Sequence, residues 1–392
     1  MNIHKMTTLD ITGKTVLIRS DLNVPIENEI IQSEARILAA LPTIQLAIQK
    51  NAKVIIMSHL GRPKEGTYTK KYSLFPIFKY LKKKLLNTQV YFSNNDMKDI
   101  HINPGEVVVL ENVRFNKGEL SNDDALSKKY ANLCDIFIMD AFGSAHRMQS
   151  STYGIGKFVK IACAGLLLIN EIIALKKALE KPKRPLVAIV GGSKVSTKFN
   201  VLHKLCKIAD TIIVGGGIAN TFLAIDHKIG KSLCELDFIC EAKKLRDKYN
   251  IIVPIDSRIG KKFHKTEKST IKSPFNIEEN EEIMDFGDET IKNVVKILKK
   301  SQTIIWNGPV GVFEFPYFRK GTEMIAKTIA NSTAFSIAGG GDTLSVIDMF
   351  NIQNNISYIS TGGGAFLEFI EGKKLPAIQM LEENFKKNNI NN

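Results

Sequence analysis

Glycines recur in pairs and triplets at Gly191-Gly192, Gly215 to Gly217, Gly339 to Gly341 and Gly362 to Gly364, each directly after a short apolar run. A Gly-rich turn between a strand and a helix lets backbone N–H groups approach phosphate, and the helix N-terminus adds a partial positive charge. One such turn is compatible with tight packing alone. Four at successive run ends predict a polyphosphate site. Lys194 and Lys198 follow the first turn, where their ammonium groups are in reach of phosphate oxygens. Asp342 follows the third and opens a helix. An Asp there serves as an N-cap, or beside a phosphate loop it serves Mg²⁺, which takes one or two carboxylates together with phosphate oxygens and water. Both uses remain open.

The first half of the chain carries a different chemistry. Arg19, Arg36, His59, Arg62, Arg114 and Arg147 lie at or just beyond the ends of apolar runs. Guanidinium groups bind oxyanions bidentately, so arginines gathered at adjacent strand ends make a pocket for a small acid bearing phosphate. Asp21 and Asn23 stand beside them as neutralising or hydroxyl-binding groups. No Asp-His or Ser-His arrangement offers itself as a general base. The P-loop pattern fails because Ile225 precedes Gly230-Lys231-Ser232, and the dinucleotide pattern fails at Asn220 and at Leu344. These failures count against a P-loop enzyme and a plain dehydrogenase.

The elements that must position these tips are legible in the hydrophobic pattern. Continuous Val/Ile-rich runs begin at residues 15, 53, 106 and 135, then at 185, 211, 251, 303, 334 and 356. Such runs read as strands buried on both faces of a parallel sheet. Amphipathic helical patterns over 34–50, 73–86, 121–134, 197–210 and 287–300 alternate with them. The alternation predicts an α/β protein of two doubly wound, Rossmann-like parallel-sheet domains joined by a helix and hinge, with a cleft between them. The expected divisions are 1–169, a connector over 170–184 ended by Pro182 and Pro185, 185–371, and a tail over 372–392 packing back on the first domain. The Lys/Glu/Ser-rich stretch 259–285 reads as a surface excursion.

Length and composition agree. A chain of 392 residues, 44% hydrophobic and 24% charged, suits two cores rather than one. Five scattered cysteines without a C-x-x-C pair read as small buried hydrophobes in a reducing compartment. No signal-peptide core and no run of about 18 apolar residues is visible, which predicts a soluble, cytoplasmic chain. The net charge of +14 raises a nucleic-acid or membrane surface as an alternative. The lysines, however, spread over solvated helix faces, so neither partner is expected.

In this order, the tips resemble the phosphoglycerate kinase family. The matching segments are RSDLNVP (19–25), SHLGRP (58–63), LENVRF (110–115), DAFGSAHR (140–147), GGSKVSTK (191–198), GGGIANTFL (215–223), WNGPVGVFE (306–314), GGGDT (339–343) and TGGGA (361–365). The resemblance implies reversible phosphoryl transfer between ATP and the carboxylate of 3-phosphoglycerate, by hinge closure and charge neutralisation, in a monomer acting on small molecules. It implies acid binding by Asp21, Asn23, Arg36, His59, Leu60, Gly61, Arg62, Arg114 and Arg147 in the first domain. It implies Mg-nucleotide binding by Lys198, Glu314, Gly340, Gly341, Asp342 and Thr343 in the second, with Asp342 as the metal ligand and Glu314 on the ribose. Arg36 and Lys194 would flank the phosphoryl group in flight. Two positions depart from the family pattern: Phe366, where Ser is usual, and Gln149, where His is common. The resemblance leaves another two-domain nucleotide-dependent enzyme and a basic nucleic-acid-binding protein as the alternatives.

Overall fold

The structure, a computed structural model, describes residues 2–94, 97 and 100–390. The chain divides into two compact units, Met1–Ile172 together with Lys374–Asn392, and Ile173–Lys373. It passes from the first unit to the second within the helix Leu166–Leu179. That helix begins earlier than the connector predicted from residue 170 and ends before Pro182. The apolar residues from 166 to 169 start it, and the prolines lie beyond its last turn.

The first unit holds a seven-stranded sheet in the spatial order His4–Lys5, Ile161–Ala164, Ile136–Met139, Thr15–Arg19, Lys53–Met57, Val107–Leu110 and Val90–Ser93. Every pairing in it is parallel. After Thr15–Arg19 the chain builds outward on one side, then returns and builds on the other from Ile136–Met139. The strand order therefore reverses between these two neighbours, and ligands of such sheets sit beyond the carboxyl ends at that point. Strands 15–19, 53–57, 107–110 and 136–139 are buried nearly throughout, which explains their uninterrupted apolar sequence. The C-terminal helix Pro376–Ile390 packs on the same unit. Ala377 N–H donates to the Ala145 carbonyl at 3.0 Å, and Asn384 Oδ1 accepts from Ala162 N–H at 2.8 Å.

The second unit holds a six-stranded parallel sheet in the order Ile251–Ile252, Leu186–Val190 after Thr211–Val214, then Thr303–Asn307, Phe335–Ala338 and Tyr358–Ile359. Its order reverses between Leu186–Val190 and Thr303–Asn307, the strands that lead into Gly191 and Gly308. The helix Asp288–Lys300 illustrates the covering elements. It buries Thr290, Ile291, Val294 and Leu298 at three- and four-residue spacing. Asp288 and Glu289 begin it and Lys299 and Lys300 end it, charges that complement the helix dipole by about 0.3–1 kcal/mol each.

One expectation needs correction. The run from 251 to 258 is not one strand: only Ile251–Ile252 joins the parallel sheet, and Pro254, which lacks a donor, ends it. Ser257–Gly260 instead forms an antiparallel sheet with Thr270–Lys272 and Glu282–Phe286. The stretch read as a surface excursion is exposed over most of 261–280, as expected, and it also carries the strand Thr270–Lys272 and the start of Glu282–Phe286. Its alternation is hidden by the exposed strand Thr270–Lys272 and by a register shift between Arg258 and Ile259.

Candidate functional site

In the first unit the predicted basic residues converge through the loops that leave four neighbouring strands. Beyond Arg19 the chain turns at Asp21, whose Oδ1 accepts the Asn23 N–H at 3.2 Å. Asn23 Oδ1 in turn accepts the Gly61 N–H at 2.9 Å, which ties the tip after strand 15–19 to the tip after strand 53–57. Arg36, in the first turn of the helix Ala35–Gln49, reaches back to the same turn. It donates to Asp21 Oδ1 at 3.3 Å and to the Asn23 carbonyl at 3.0 Å. Arg114 donates to the Gly61 carbonyl.

Asn112 holds the loop from His59 to Arg62 in place. Its Oδ1 accepts from Leu60 N–H at 3.2 Å, and its Nδ2 donates to the Leu60 carbonyl at 2.7 Å and the Tyr72 carbonyl at 2.8 Å. The cations crowd one another. Burial, then Arg147 and Arg19, lowers Arg114 to about 10. Burial also lowers Arg147, with Asp21 opposing and Arg62 and Arg36 adding to the shift. Burial and the surrounding arginines hold His59 well below the usual imidazole range. So many half-buried cations with so few carboxylates make a place prepared for an anion. Asp21, Asn23, His59, Leu60, Gly61, Arg62, Arg114 and Arg147 all belong to this one cluster of strand-end segments, which Arg36 joins from the helix.

In the second unit the glycine turns meet at the strand-order reversal. Gly191 N–H donates to the Asn307 carbonyl at 2.9 Å, and Gly216 N–H to the Val310 carbonyl at 2.9 Å. Gly340 has a φ of 102°, a left-handed conformation that favours glycine. The helix Gly341–Met349 follows, and its internal bonds begin with Leu344 N–H to the Gly340 carbonyl. The amides of residues 341–343 therefore stand outside the helix's own ladder, at the end where its dipole is positive. Thr343 Oγ1 accepts the Gly308 N–H at 2.7 Å and donates to the Gly339 carbonyl at 2.9 Å, so this hydroxyl binds one turn to the other.

Lys198 Nζ donates to the Gly191 carbonyl at 2.5 Å. Burial pulls its pKa down to about 8, against an opposing pull from Asp342. Lys194 is exposed on the same loop, one residue after Ser193. Asp342 is no N-cap: Gly340 holds that position, and the Asp342 carboxylate is exposed in the first helical turn.

A cleft of about 260 Å³ opens among these turns. Gly192, Gly216 and Gly217 edge it, Leu233, Phe263 and Phe313 give it apolar surface, and Glu282, Glu314 and Asp342 are its acidic groups. Apolar wall, amide-rich edge and a carboxylate are the complement of a nucleotide's base, phosphates and ribose hydroxyls. A larger open groove of about 680 Å³ lies along Ile251 to Ile255, but it contains no glycine turn and none of the predicted residues. Among the described residues no group of three or more His, Cys, Asp or Glu side chains is arranged to hold a metal. The Asp342 carboxylate beside amide-rich glycine turns fits Mg²⁺, which keeps waters and phosphate oxygens in its shell rather than a protein cage.

Several contributors escaped the sequence reading. Asn307 donates to the Gly339 carbonyl at 2.7 Å, while Glu119 and Ser151 form a buried pair with Ser151 Oγ donating at 2.6 Å. Nothing in their local sequence marks them, because each acts on a residue far away along the chain. Of the two departures, Phe366 is fully buried, its ring 2.6 Å from where a Cβ on Gly339 would stand. Gln149 is buried too, but the amides of Thr152, Tyr153 and Gly154 donate to its backbone carbonyl, which any residue would supply.

A sequence profile of the phosphoglycerate kinase family matches residues 6–373. The phosphoglycerate kinase of Buchnera aphidicola subsp. Acyrthosiphon pisum (strain Tuc7) is 82% identical over 98% of this chain and 99% of its own length. That of Buchnera aphidicola subsp. Baizongia pistaciae is 61% identical over the full length of both. Among solved structures, phosphoglycerate kinase from Coxiella burnetii superposes with a TM-score of 0.93 at 48% identity, covering 98% of this chain and 100% of that one. The enzyme from Pyrococcus horikoshii gives 0.84 at 31% identity with the same coverage. With the arginine-lined loops on one sheet and the glycine turns on the other, these likenesses show that the chain belongs to the phosphoglycerate kinase family.

Proposed function

We propose that this chain catalyses the glycolytic reaction in which 1,3-bisphosphoglycerate and ADP give 3-phosphoglycerate and ATP, with the acid bound on the first unit and the Mg-nucleotide on the second. The observation that carries the assignment of sites is the contrast between the two strand-end clusters: guanidinium groups on one sheet, backbone amides and Lys198 on the other. In the reverse direction a carboxylate oxygen of 3-phosphoglycerate attacks the γ-phosphorus of ATP. The bond from that phosphorus to the β,γ-bridging oxygen breaks, and ADP leaves.

A carboxylate is already ionised at neutral pH, so the step needs no general base. It needs positioning and neutralisation of the phosphoryl oxygens. Arg36 supplies this from the acid side, and Lys194 with the amides of residues 341–343 from the nucleotide side. Mg²⁺, held by Asp342 and by the nucleotide's phosphates, supplies further charge neutralisation when bound. Glu314, which lines the same cleft, would accept ribose hydroxyls. The reading carries with it a cytoplasmic monomer whose partners are small molecules; among the described residues no helix is long and apolar enough to cross a membrane.

The test is a coupled assay of the purified protein with 3-phosphoglycerate and Mg-ATP. Acyl-phosphate formation that stops when Mg²⁺ is chelated is the expected outcome, and a folded protein without it sinks the reading. Reacting atoms must come within ~3–3.5 Å for transfer, so both ligands together, more than either alone, are expected to lower the radius of gyration in small-angle scattering.

Lys198 adds a pH dependence. With its pKa lowered to about 8, the ammonium is charged below that pH and neutral above it. A bound polyphosphate favours the charged form, so nucleotide binding takes up a proton near pH 8. ADP affinity is then expected to fall about tenfold from pH 7 to 9 by proton linkage. Calorimetric titrations in two buffers of different ionisation enthalpy read both effects. A flat profile, or one unchanged in Lys198→Met, removes Lys198 from the site.

A further inference from the structure

Beneath the acid-binding loops of the first unit lies a buried polar chain that the proposed reaction does not use directly. Arg19 ends the strand Thr15–Arg19 and is fully buried, yet its guanidinium has a partner at each nitrogen. Nε donates to Ser151 Oγ at 3.0 Å, one terminal nitrogen to the Ser20 carbonyl at 2.6 Å, and the other lies 3.2 Å from His59 Nδ1. Ser151 passes the interaction on: its hydroxyl donates to Glu119 Oε1 at 2.6 Å, and its N–H to Glu119 Oε2 at 3.1 Å. Glu119 is itself fully buried, so the Arg19 cation and the Glu119 carboxylate balance each other across one serine.

This arrangement decides a proton position. A guanidinium has five N–H donors and no acceptor. His59 Nδ1 must therefore accept the hydrogen bond from Arg19, which requires that nitrogen to carry no proton. In a neutral imidazole the proton is then on Nε2. An imidazolium, with protons on both nitrogens, would set an N–H against an N–H inside a buried site.

We propose that Arg19, itself braced by Ser151 and Glu119, locks His59 as the Nε2–H tautomer, so that His59 meets the phosphorylated acid as a neutral hydrogen-bond donor and not as a cation. The inference rests on the reading of these loops as the acid site and makes Arg19 a positioning residue, since it is too deeply buried to touch a ligand. The groups around the imidazole agree. Burial and the charges of Arg19, Arg114, Arg147 and Arg36 all disfavour its protonation, while Asp21 and Glu119, the nearby carboxylates, are taken up by Arg36 and by the Arg19–Ser151 chain. A neutral donor adds direction to a cluster that already has charge in excess.

The test is two-bond ¹H–¹⁵N correlation spectroscopy of the histidine rings in the full-length protein, with the His59 signals assigned by their loss in His59→Gln. Without ligand, the spectra are expected to show His59 as Nε2–H with an unprotonated Nδ1 that does not titrate down to pH 5. Added 3-phosphoglycerate should move the Nε2 proton and leave Nδ1 unprotonated. In Arg19→Met the tautomers should mix or the ring should titrate, with KM for the acid rising about tenfold, the usual effect of one well-placed hydrogen bond. An Nδ1–H tautomer or an imidazolium in the unmutated protein at pH 7 overturns the lock, as does a native tautomer retained in Arg19→Met. If that variant does not fold, the unmutated spectrum still decides, and Ser151→Ala, which cuts Arg19 from Glu119, replaces it. An Nε2–H ring indifferent to 3-phosphoglycerate overturns the donor role and the acid-site reading while leaving the tautomer lock standing.

Discussion

Lys194→Ala is expected to lower kcat about 10²–10³-fold, the usual cost of removing one preorganised charge from a transition state, while KM for ATP changes far less. Negative charge redistributes over the transferring phosphoryl group only during reaction, so a cation placed for that moment contributes little to ground-state binding. Lys194 suits such a part: it is exposed on the loop between Gly192 and the helix Phe199–Cys206, next to Ser193 at the cleft. The substitution should cost the fold almost nothing, as expected at an exposed loop position. Arg62→Ala should behave in the opposite way. Arg62 is exposed among the loops proposed to bind the acid and contributes to the field on Arg114 and Arg147, so its loss should raise KM for 3-phosphoglycerate and leave kcat nearly intact. Steady-state kinetics with each substrate varied separates the two. A raised KM for ATP with unchanged kcat in Lys194→Ala would make Lys194 a ground-state binder and void its assigned part.

How far the sequence could be read follows from what each residue touches. Strands 15–19, 53–57, 186–190 and 303–307 are buried on both faces, so their apolar runs are unbroken and their ends are visible from composition alone. The loaded tips were visible for the same reason, because Arg19, Asp21 and Asn23, or Gly191 and Gly192, interrupt such runs abruptly. Edge strands are different. Val90–Ser93 is four residues with only Val90 buried, and His4–Lys5 is only two residues, too short for any period to register.

The antiparallel sheet around Ser257–Gly260 was missed because Thr270–Lys272 is largely exposed and shows no apolar alternation. Least legible were the residues that act on other residues. Asn112, Glu119, Ser151 and Asn307 reach partners 32 to 52 positions away in bonds such as Leu60 N–H to Asn112 Oδ1, Ser151 N–H to Glu119 Oε2 and Asn307 Nδ2 to the Gly339 carbonyl. A period of 2 or 3.6 residues carries no trace of such a contact.

Gly191→Ala is expected to be the most damaging single methyl in the second unit. A Cβ on Gly191 would stand 1.8 Å from the Pro309 carbonyl oxygen, 2.6 Å from its carbon and 2.9 Å from the Gly308 carbon. All three are backbone atoms, so no rotamer change can make room. The clash falls where strands Leu186–Val190 and Thr303–Asn307 end side by side, and relieving it means pulling these ends apart. That would break the Gly191 N–H bond to the Asn307 carbonyl and move the carbonyl that receives Lys198 Nζ.

Overpacking a tight core typically costs ~1–3 kcal/mol, and a backbone clash belongs at the upper end. At ~2–4 °C per kcal/mol for a domain of this size, the melting temperature of the second unit should fall by roughly 6–12 °C. Gly341→Ala is the control, because a Cβ there meets nothing within 4 Å and the backbone is helical. This methyl should leave the melting temperature nearly unchanged and raise KM for ATP, since the empty space beside the amides of residues 341–343 is the proposed position of the phosphates. Calorimetry on both variants, followed by kinetics on Gly341→Ala, gives the answer. Equal stability in the two variants would mean that the strand ends at Gly191 and Pro309 are looser than their spacing states. An unaltered KM in Gly341→Ala would move the phosphates away from this helix.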